Sequence, residues 1–193
     1  MVSNQKKQQG FALLLTLLVV TVLISVGVSI LSLSITQVRL ASNARDSEVA
    51  FHAANAGMEC ALYWRREKAA QMESGANMRP IGCFGDSTPN NYSQSTITSG
   101  VSGGQVYRYR YEFEWGAPVR CTQIDTIVGV ASLSGAGLQI PNMRSYLAGY
   151  PGSNTKVCEA GTRCSVISVQ GYNKACGSVN DYGTVQREVL LQL

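Results

Sequence analysis

The longest apolar segment of the chain lies near its start and carries no charged residue from Phe11 to Val38. A short polar segment with two lysines precedes it and ends at Gly10. A transmembrane helix needs about 20 apolar residues, so this segment is long enough to span a bilayer. A secretory signal peptide is cleaved after its apolar core, whereas the sharp junction here comes before the core. The pattern predicts a membrane-spanning helix over residues 11–38.

The helical pattern continues beyond this segment and becomes amphipathic. One apolar stripe follows i, i+3, i+4 spacing and consists of Phe51, Ala54, Met58 and Leu62. No proline occurs before Pro80. We therefore predict one continuous helix from residue 11 to about residue 72, whose second part, residues 39–72, docks on a domain.

The C-terminal part alternates in a way that predicts an antiparallel sheet. From Tyr107 to Trp115, aromatic residues alternate with Arg and Glu, which is typical of a strand with one buried and one solvated face. Further strands are predicted at residues 122–133, 165–169 and 184–191. Gly, Ser, Asn and Pro are frequent in residues 74–104 and 135–152, which predicts loops. A helix followed by strands indicates an α+β fold, with a β-sheet domain over residues 73–193.

The start of the chain resembles the class III signal peptide of the type IV pilin and pseudopilin superfamily. The residues that match are Lys6, Lys7, Gly10, Phe11 and the Leu/Val/Ile segment that follows. In that superfamily a prepilin peptidase cuts after the glycine and methylates the new N-terminal amine. The resemblance implies a prepilin leader peptide of residues 1–10, cleavage between Gly10 and Phe11, and an N-methylated Phe11. The alternative is a plain signal anchor, a single helix that tethers a domain.

A second motif narrows the resemblance. The stretch from Ala50 to Glu59 is similar to the F-x-A-A-x-A-G-x-E sequence of PilX-type minor pilins, with Asn55 where that family usually has Glu. The resemblance implies a pilin-like ladle, in which the long helix packs on the antiparallel sheet through its second half. An Ala-rich packing helix without that function remains the alternative for this stretch.

Cysteine content and the N-terminal lysines indicate on which side of the membrane the domain lies. All six cysteines follow the apolar segment, which fits an oxidising compartment. Cationic flanks resist translocation, so the N-terminus is expected in the cytoplasm and residues 73–193 outside it. Cys158 and Cys164 are close enough in sequence to suggest a disulfide, and Cys60 with Cys83 is a weaker suggestion. Free buried thiols are the alternative.

The sequence offers little for enzyme chemistry. His52 is the only histidine, so a metal site or a Ser-His-Asp triad lacks partners, and no G-x-S-x-G motif occurs. No phosphate-binding glycine motif precedes a helix, and no CxxC pair occurs. We expect no enzymatic activity and no catalytic, cofactor-binding or metal-binding residues. The net charge of +4 is spread along the chain, so no nucleic-acid partner is expected.

Leu15 occupies the fifth position after the implied cleavage site, where most major pilins carry Glu. In the family that Glu is thought to neutralise the N-terminal amine of a neighbouring subunit inside the filament. A buried ammonium without a counter-charge costs several kcal/mol. A subunit with Leu15 cannot provide the counter-charge, although its own amine can use another subunit's glutamate. This asymmetry, which the tip-proximal pseudopilin of type II secretion shares, predicts a minor pilin in a priming or tip complex.

The resemblance also implies partners and a location. The partners are other pilin subunits, the prepilin peptidase, an inner-membrane platform protein and an assembly ATPase. The chain is expected in the inner (cytoplasmic) membrane as a single-pass protein and then in an extracellular pilus. The alternatives are a minor pseudopilin of a type II secretion or competence system, an adhesin or DNA-binding minor subunit on the same scaffold, and an anchored domain without a filament role.

Overall fold

The computed structural model describes residues 3–79, 81–85, 89–99, 104–131, 135 and 137–193, apart from the side chains of residues 3–10 and 90. The chain divides into two compact units, Met1–Arg45 and Asp46–Leu193. The first unit consists of the beginning of the long helix α1, which runs over Ser3–Glu67 and therefore starts before Phe11. The second unit contains the end of α1 and every strand among the described residues.

Helix α1 ends five residues earlier than the sequence predicts. The chain leaves the helical conformation at Lys68 and enters a short helix, α2, over Ala69–Ser74. The prediction of one continuous helix to residue 72 is wrong at this point, because Lys68 departs from helical backbone angles; Met72, on the short helix that follows, is completely buried. Gly75 then ends α2 in the left-handed conformation, with φ of 73°.

The second unit is built around one five-stranded antiparallel sheet in the order β1-β2-β3-β6-β7. Its strands are β1 (Asn90–Ile97), β2 (Gly104–Trp115), β3 (Arg120–Ala131), β6 (Arg163–Tyr172) and β7 (Gln186–Gln192). A separate two-stranded ladder pairs β4 (Leu138–Ile140) with β5 (Lys156–Cys158), and α3 (Met143–Tyr146) lies between them in sequence. A 3-10 helix, Cys176–Ser178, lies in the connection from β6 to β7.

The two faces of the sheet carry separate apolar cores. The inner face packs on α1 and α2, and this core consists of Met58, Ala61, Met72, Met78, Ile81, Cys83, Tyr107, Tyr109, Tyr111, Phe113, Ile124, Val128, Ile167 and Val169. The outer face is covered by β4, α3 and β5, and that core includes Val106, Ile127, Leu138, Ile140, Met143, Leu147 and Val166. The α+β fold with a helix packed on an antiparallel sheet is thus confirmed within the second unit.

The strand with the strongest alternation follows the predicted pattern on one face and departs from it on the other. Tyr109, Tyr111 and Phe113 are all at most 1 % exposed on the helix side. The charged side is not simply solvated, because Arg108 donates hydrogen bonds to the Asp125 carboxylate and to the backbone carbonyl of Tyr146. The hydrogen bonds to Asp125 raise the pKa of Arg108, while burial acts in the opposite direction.

Two strands and one short helix lie within segments that the sequence predicts as loops. Strand β1 lies within residues 74–104, and β4 and α3 lie within residues 135–152. Strand β1 is polar and mostly exposed, and it pairs with β2 alone at the edge of the sheet. Strands are recognised in a sequence by apolar alternation, which β1 lacks. It forms a strand through backbone pairing with β2.

Candidate functional site

The first unit presents an apolar helix that is exposed on every side. Each side chain from Phe11 to Arg45 is exposed, and Phe11 itself is 69 % exposed. Phe11–Glu67 is the one helix among the described residues that is long and apolar enough to cross a membrane. Burying a Leu, Ile or Val side chain is worth roughly 1.5–3 kcal/mol, so a surface of this kind requires lipid or protein around it.

Four hydroxyl side chains in this segment form hydrogen bonds within the helix. Thr16 and Thr21 donate to carbonyl oxygens three residues earlier, at 2.9 and 2.8 Å. Ser29 and Thr36 donate to carbonyls four residues earlier, at 2.9 and 3.0 Å. A hydroxyl bonded in this way brings no unsatisfied polar group into an apolar medium. These four hydroxyls are therefore compatible with lipid or with a filament interior.

The residues predicted for processing and assembly lie on α1. Gly10 and Phe11 are consecutive helical residues, and the side-chain surroundings of residues 3–10 lie outside the description. Leu15 is 50 % exposed and has no polar atom in its side chain. Cleavage between Gly10 and Phe11, methylation of Phe11 and the assembly role of Leu15 stay predictions.

In the second unit, α1 contacts the sheet through a face of very small residues. Ala50, Ala53 and Ala54 are 0 % exposed, and Ala61 is 1 % exposed. The predicted stripe is partly wrong, because Phe51 is 48 % exposed and is not part of this core. The Ala- and Gly-rich motif serves close approach of two backbones, for which small side chains are required.

Two glycines mark where the helix and the sheet come closest. An added methyl at Gly57 would overlap Thr122 Cγ2 and lie 2.7 Å from Val169 Cγ1. On the opposing strand, a methyl at Gly171 would overlap the backbone of Ala50 and Ala54. The helix and the sheet can therefore approach this closely only because neither glycine has a Cβ atom.

A buried hydrogen-bond chain fixes the same contact. The Thr122 hydroxyl donates to the carbonyl oxygen of Ala53 at 3.2 Å and accepts from Trp115 Nε1 at 2.9 Å. Thr122 is 0 % exposed, and its bond to the Ala53 carbonyl is fully buried. Buried hydroxyls need such partners, and this one fixes the position of the helix along β3.

Three disulfides tie the second unit together. The structure pairs Cys60 with Cys83 and Cys158 with Cys164, the two pairs suggested from the sequence. It also pairs Cys121 with Cys176, which are 55 residues apart. Spacing along the chain does not indicate this third pair, which follows from the sequence only because Cys121 and Cys176 remain once the other four cysteines are paired. Disulfides in this unit agree with an oxidising compartment.

The described residues offer little for metal binding or catalysis. His52 is an exposed helix residue whose Nε2 lies 3.7 Å from Glu48 Oε1. The one close group of metal-ligating residue types in the described part of the chain is Glu112, Cys121 and Cys176. Both cysteines in that group are joined in a disulfide and have no thiolate to offer.

Comparison with known proteins bears on the N-terminal part. Residues 9–59 match the family model described as PilX N-terminal, which covers about a quarter of the chain. Neither a curated protein nor a solved structure matches the chain. The match includes Phe11, Leu15 and the small-residue face from Ala50 to Gly57. It supports a PilX-type minor pilin of type IV pili, a family of structural subunits associated with other pilus components.

Proposed function

We propose that this chain is a minor pilin-like structural subunit of a type IV pilus, cut between Gly10 and Phe11 and assembled into the filament. The observation that carries the proposal is the charge-free helix from Phe11 to Val38, whose side chains are exposed throughout. The PilX N-terminal match over the same helix supports it.

The helix has two successive environments in this proposal. It first holds the subunit in the inner membrane, with its N-terminus in the cytoplasm and its disulfide-bonded unit outside. It then packs among the helices of other subunits, so that contacts with lipid are replaced by contacts with protein. Lipid tails are as apolar as these side chains, so little hydrophobic free energy is gained in the exchange. An external energy source is therefore required, which we assign to the assembly ATPase and platform protein of the pilus machinery.

Leu15 supports a placement at one end of the filament. With Leu15 this subunit supplies no carboxylate for the amine of a neighbouring subunit, whereas its own Phe11 amine can use a neighbour's carboxylate. A subunit of this kind fits a priming or tip complex, in which it needs a partner on one side only.

The processing step is tested by mass spectrometry of the intact N-terminus. Cells with an active prepilin peptidase should yield a chain that begins at N-methylated Phe11, and cells without the peptidase should retain residues 1–10. A Gly10→Val variant is the control, because the peptidase recognises the glycine, and it should remain uncut. Retention of residues 1–10 in the presence of an active peptidase would refute the proposal.

The placement in the filament is tested separately by immunogold labelling of sheared pili. Gold particles should lie at filament ends in the wild type. A Leu15→Glu variant should also enter the shaft, and the uncharged control Leu15→Gln should behave as the wild type. Labelling of wild-type filaments along their whole length would contradict the tip placement and leave the pilin assignment intact.

A further inference from the structure

The outer face of the sheet carries an open polar cleft that the assembly role does not use. The cleft has a volume of about 270 Å³ and lies over β2, β3 and β6, with α3 and the residues after it as one wall. Its polar lining includes Arg108, Arg110, Gln123, Asp125, Arg144 and Gln170. The site lies wholly within the second unit and does not depend on filament assembly.

Disulfides hold the segments that flank the cleft. Cys158 at the end of β5 is bonded to Cys164 on β6, which anchors the β4–α3–β5 cover to the sheet. Toward the other end of the same face, Cys121 on β3 is bonded to Cys176. The Cys176 backbone N–H donates to Glu114 Oε1 at 2.7 Å. The floor and flanks of the cleft are therefore preorganised, which reduces the entropy cost of binding.

One of the arginines in the lining is already neutralised. Arg108 donates to both carboxylate oxygens of Asp125, at 2.7 and 2.6 Å. It donates further to the Tyr146 carbonyl at 2.9 Å and lies over that residue's ring. In this bidentate pair each charge is neutralised by the other, so Arg108 stabilises the fold and is not available to bind an anionic ligand.

Arg110 differs because its charge is largely unused. Its side chain is 54 % exposed, and its Nε lies 3.9 Å from Asp125 Oδ2. That contact, with a carboxylate already bound by Arg108, is the one ion pair of Arg110 among the described residues. The Arg110 charge also acts on the nearby Tyr172 phenol, whose pKa burial raises and Arg110 lowers. A guanidinium has five N–H donors in a planar fork that matches a carboxylate. Arg110 thus offers a carboxylate-sized anion site inside the cleft.

A second hollow of about 310 Å³ lies on the other side of Arg110, over β1 and β2. The two hollows share Arg110 and Gln123 in their linings. Each is at or below the low end of the size of small-molecule sites, which suits one small group and excludes a helix or strand of a partner. Two adjacent small hollows with a cation between them fit an elongated ligand made of small polar units.

The remaining polar groups favour hydroxyls over additional negative charge. Glu112, which lines the second hollow, accepts hydrogen bonds from Asn91 and Gln123. Its carboxylate has lone pairs left that can accept from ligand hydroxyls. Glu112 and Asp125 repel a phosphate dianion about twice as strongly as a singly charged carboxylate, and a nucleic-acid backbone needs a cluster of unpaired cations.

We propose that this outer-face cleft binds a carboxylated sugar of an acidic glycan. The sugar carboxylate lies on Arg110, and Arg144 adds a second positive charge from the opposite wall. Ring hydroxyls are bonded by Gln123 and Gln170, and the exposed part of the Tyr146 ring packs against a C–H face of the sugar. The neighbouring hollow receives the next unit of the glycan.

The experiment is an NMR titration of the full-length protein in detergent micelles with a glucuronate-containing disaccharide. The neutral glucose disaccharide and a Glu-rich peptide are the comparison ligands. Arg110→Gln is the test variant, and Arg163→Gln is the matched control, because Arg163 is an exposed arginine of the same sheet that pairs with Glu73 on the other face. Arg110→Lys keeps the charge and loses the fork.

The acidic disaccharide should shift resonances of β2 and β3 residues at the cleft, and the neutral one should bind at least tenfold more weakly. Arg110→Gln should weaken the acidic ligand at least tenfold, Arg110→Lys by less, and Arg163→Gln not at all. Raising the salt concentration should weaken binding of the acidic ligand selectively. Equal binding of both sugars, wild-type affinity in Arg110→Gln, or tighter binding of the acidic peptide overturns the proposal.

Discussion

The close approach of α1 to the sheet leads to a sharp prediction at Gly171. In Gly171→Ala the new methyl overlaps the Ala50 oxygen and the Ala54 nitrogen and lies 2.9 Å from the Ala53 carbonyl carbon. Favourable carbon contacts lie at about 3.5–4.0 Å. All three neighbours are backbone atoms, so no rotamer change relieves the overlap and the helix has to move outward.

The size of the effect follows from two opposing terms. Overpacking a well-packed core costs about 1–3 kcal/mol, and a backbone overlap belongs at the upper end of this range. Replacing Gly by Ala also restricts the unfolded chain, which contributes about 0.4–1 kcal/mol in favour of the folded state. The net free energy of unfolding should therefore fall by about 2 kcal/mol, which lowers Tm by about 4–8 °C for a protein of this size.

The control is Gly177→Ala, because nothing lies within 4 Å of a methyl at that position. Only the unfolded-state term applies there, so stability should rise by about 0.4–1 kcal/mol. Both variants are compared in detergent micelles with disulfides intact, by guanidinium unfolding followed through the two tryptophans. If Gly171→Ala is as stable as Gly177→Ala, the helix and the sheet do not meet as closely as argued.

Two further predictions concern the inner core and the disulfides. Burial raises the pKa of the Tyr111 phenol above its usual value of about 10, so its contribution to stability is complete below pH 10 and is lost as the pH rises further. Tyr111→Phe should therefore flatten the loss of Tm between pH 10 and 11.5, and an unchanged slope would exclude this phenol as the cause. If a disulfide stabilises by restricting the unfolded chain, the bond that closes the longer loop should contribute more to the free energy of unfolding. Removing Cys121–Cys176, with a sequence separation of 55, should lower it by about 4 kcal/mol. Removing Cys158–Cys164, with a separation of 6, should lower it by about 2 kcal/mol. The reverse order in guanidinium unfolding of the paired Cys→Ala variants would contradict that description.

The helix and the central strands could be predicted because their signals are local. The charge-free segment from Phe11 to Val38 and the alternation from Tyr107 to Trp115 are periodicities within one stretch of chain. The Ala- and Gly-rich motif indicated the family resemblance without any knowledge of contacts. In the same way, Leu15 indicated a departure from the glutamate that most major pilins carry at that position. Strand β1 was not predicted, because its polar side chains show no such periodicity, although its backbone pairs with β2.

What the sequence alone determined is the set of elements with an apolar period and the small residues that permit close contact. Tertiary structure alone decided that Ala50 and Ala53 meet the sheet while Phe51 does not. It also decided that Arg108 is neutralised by Asp125 while its neighbour on the same strand face, Arg110, is left exposed. The physical reason is that periodicity depends on residues close in sequence, whereas these contacts join residues whose distance in space is set by the whole packed unit.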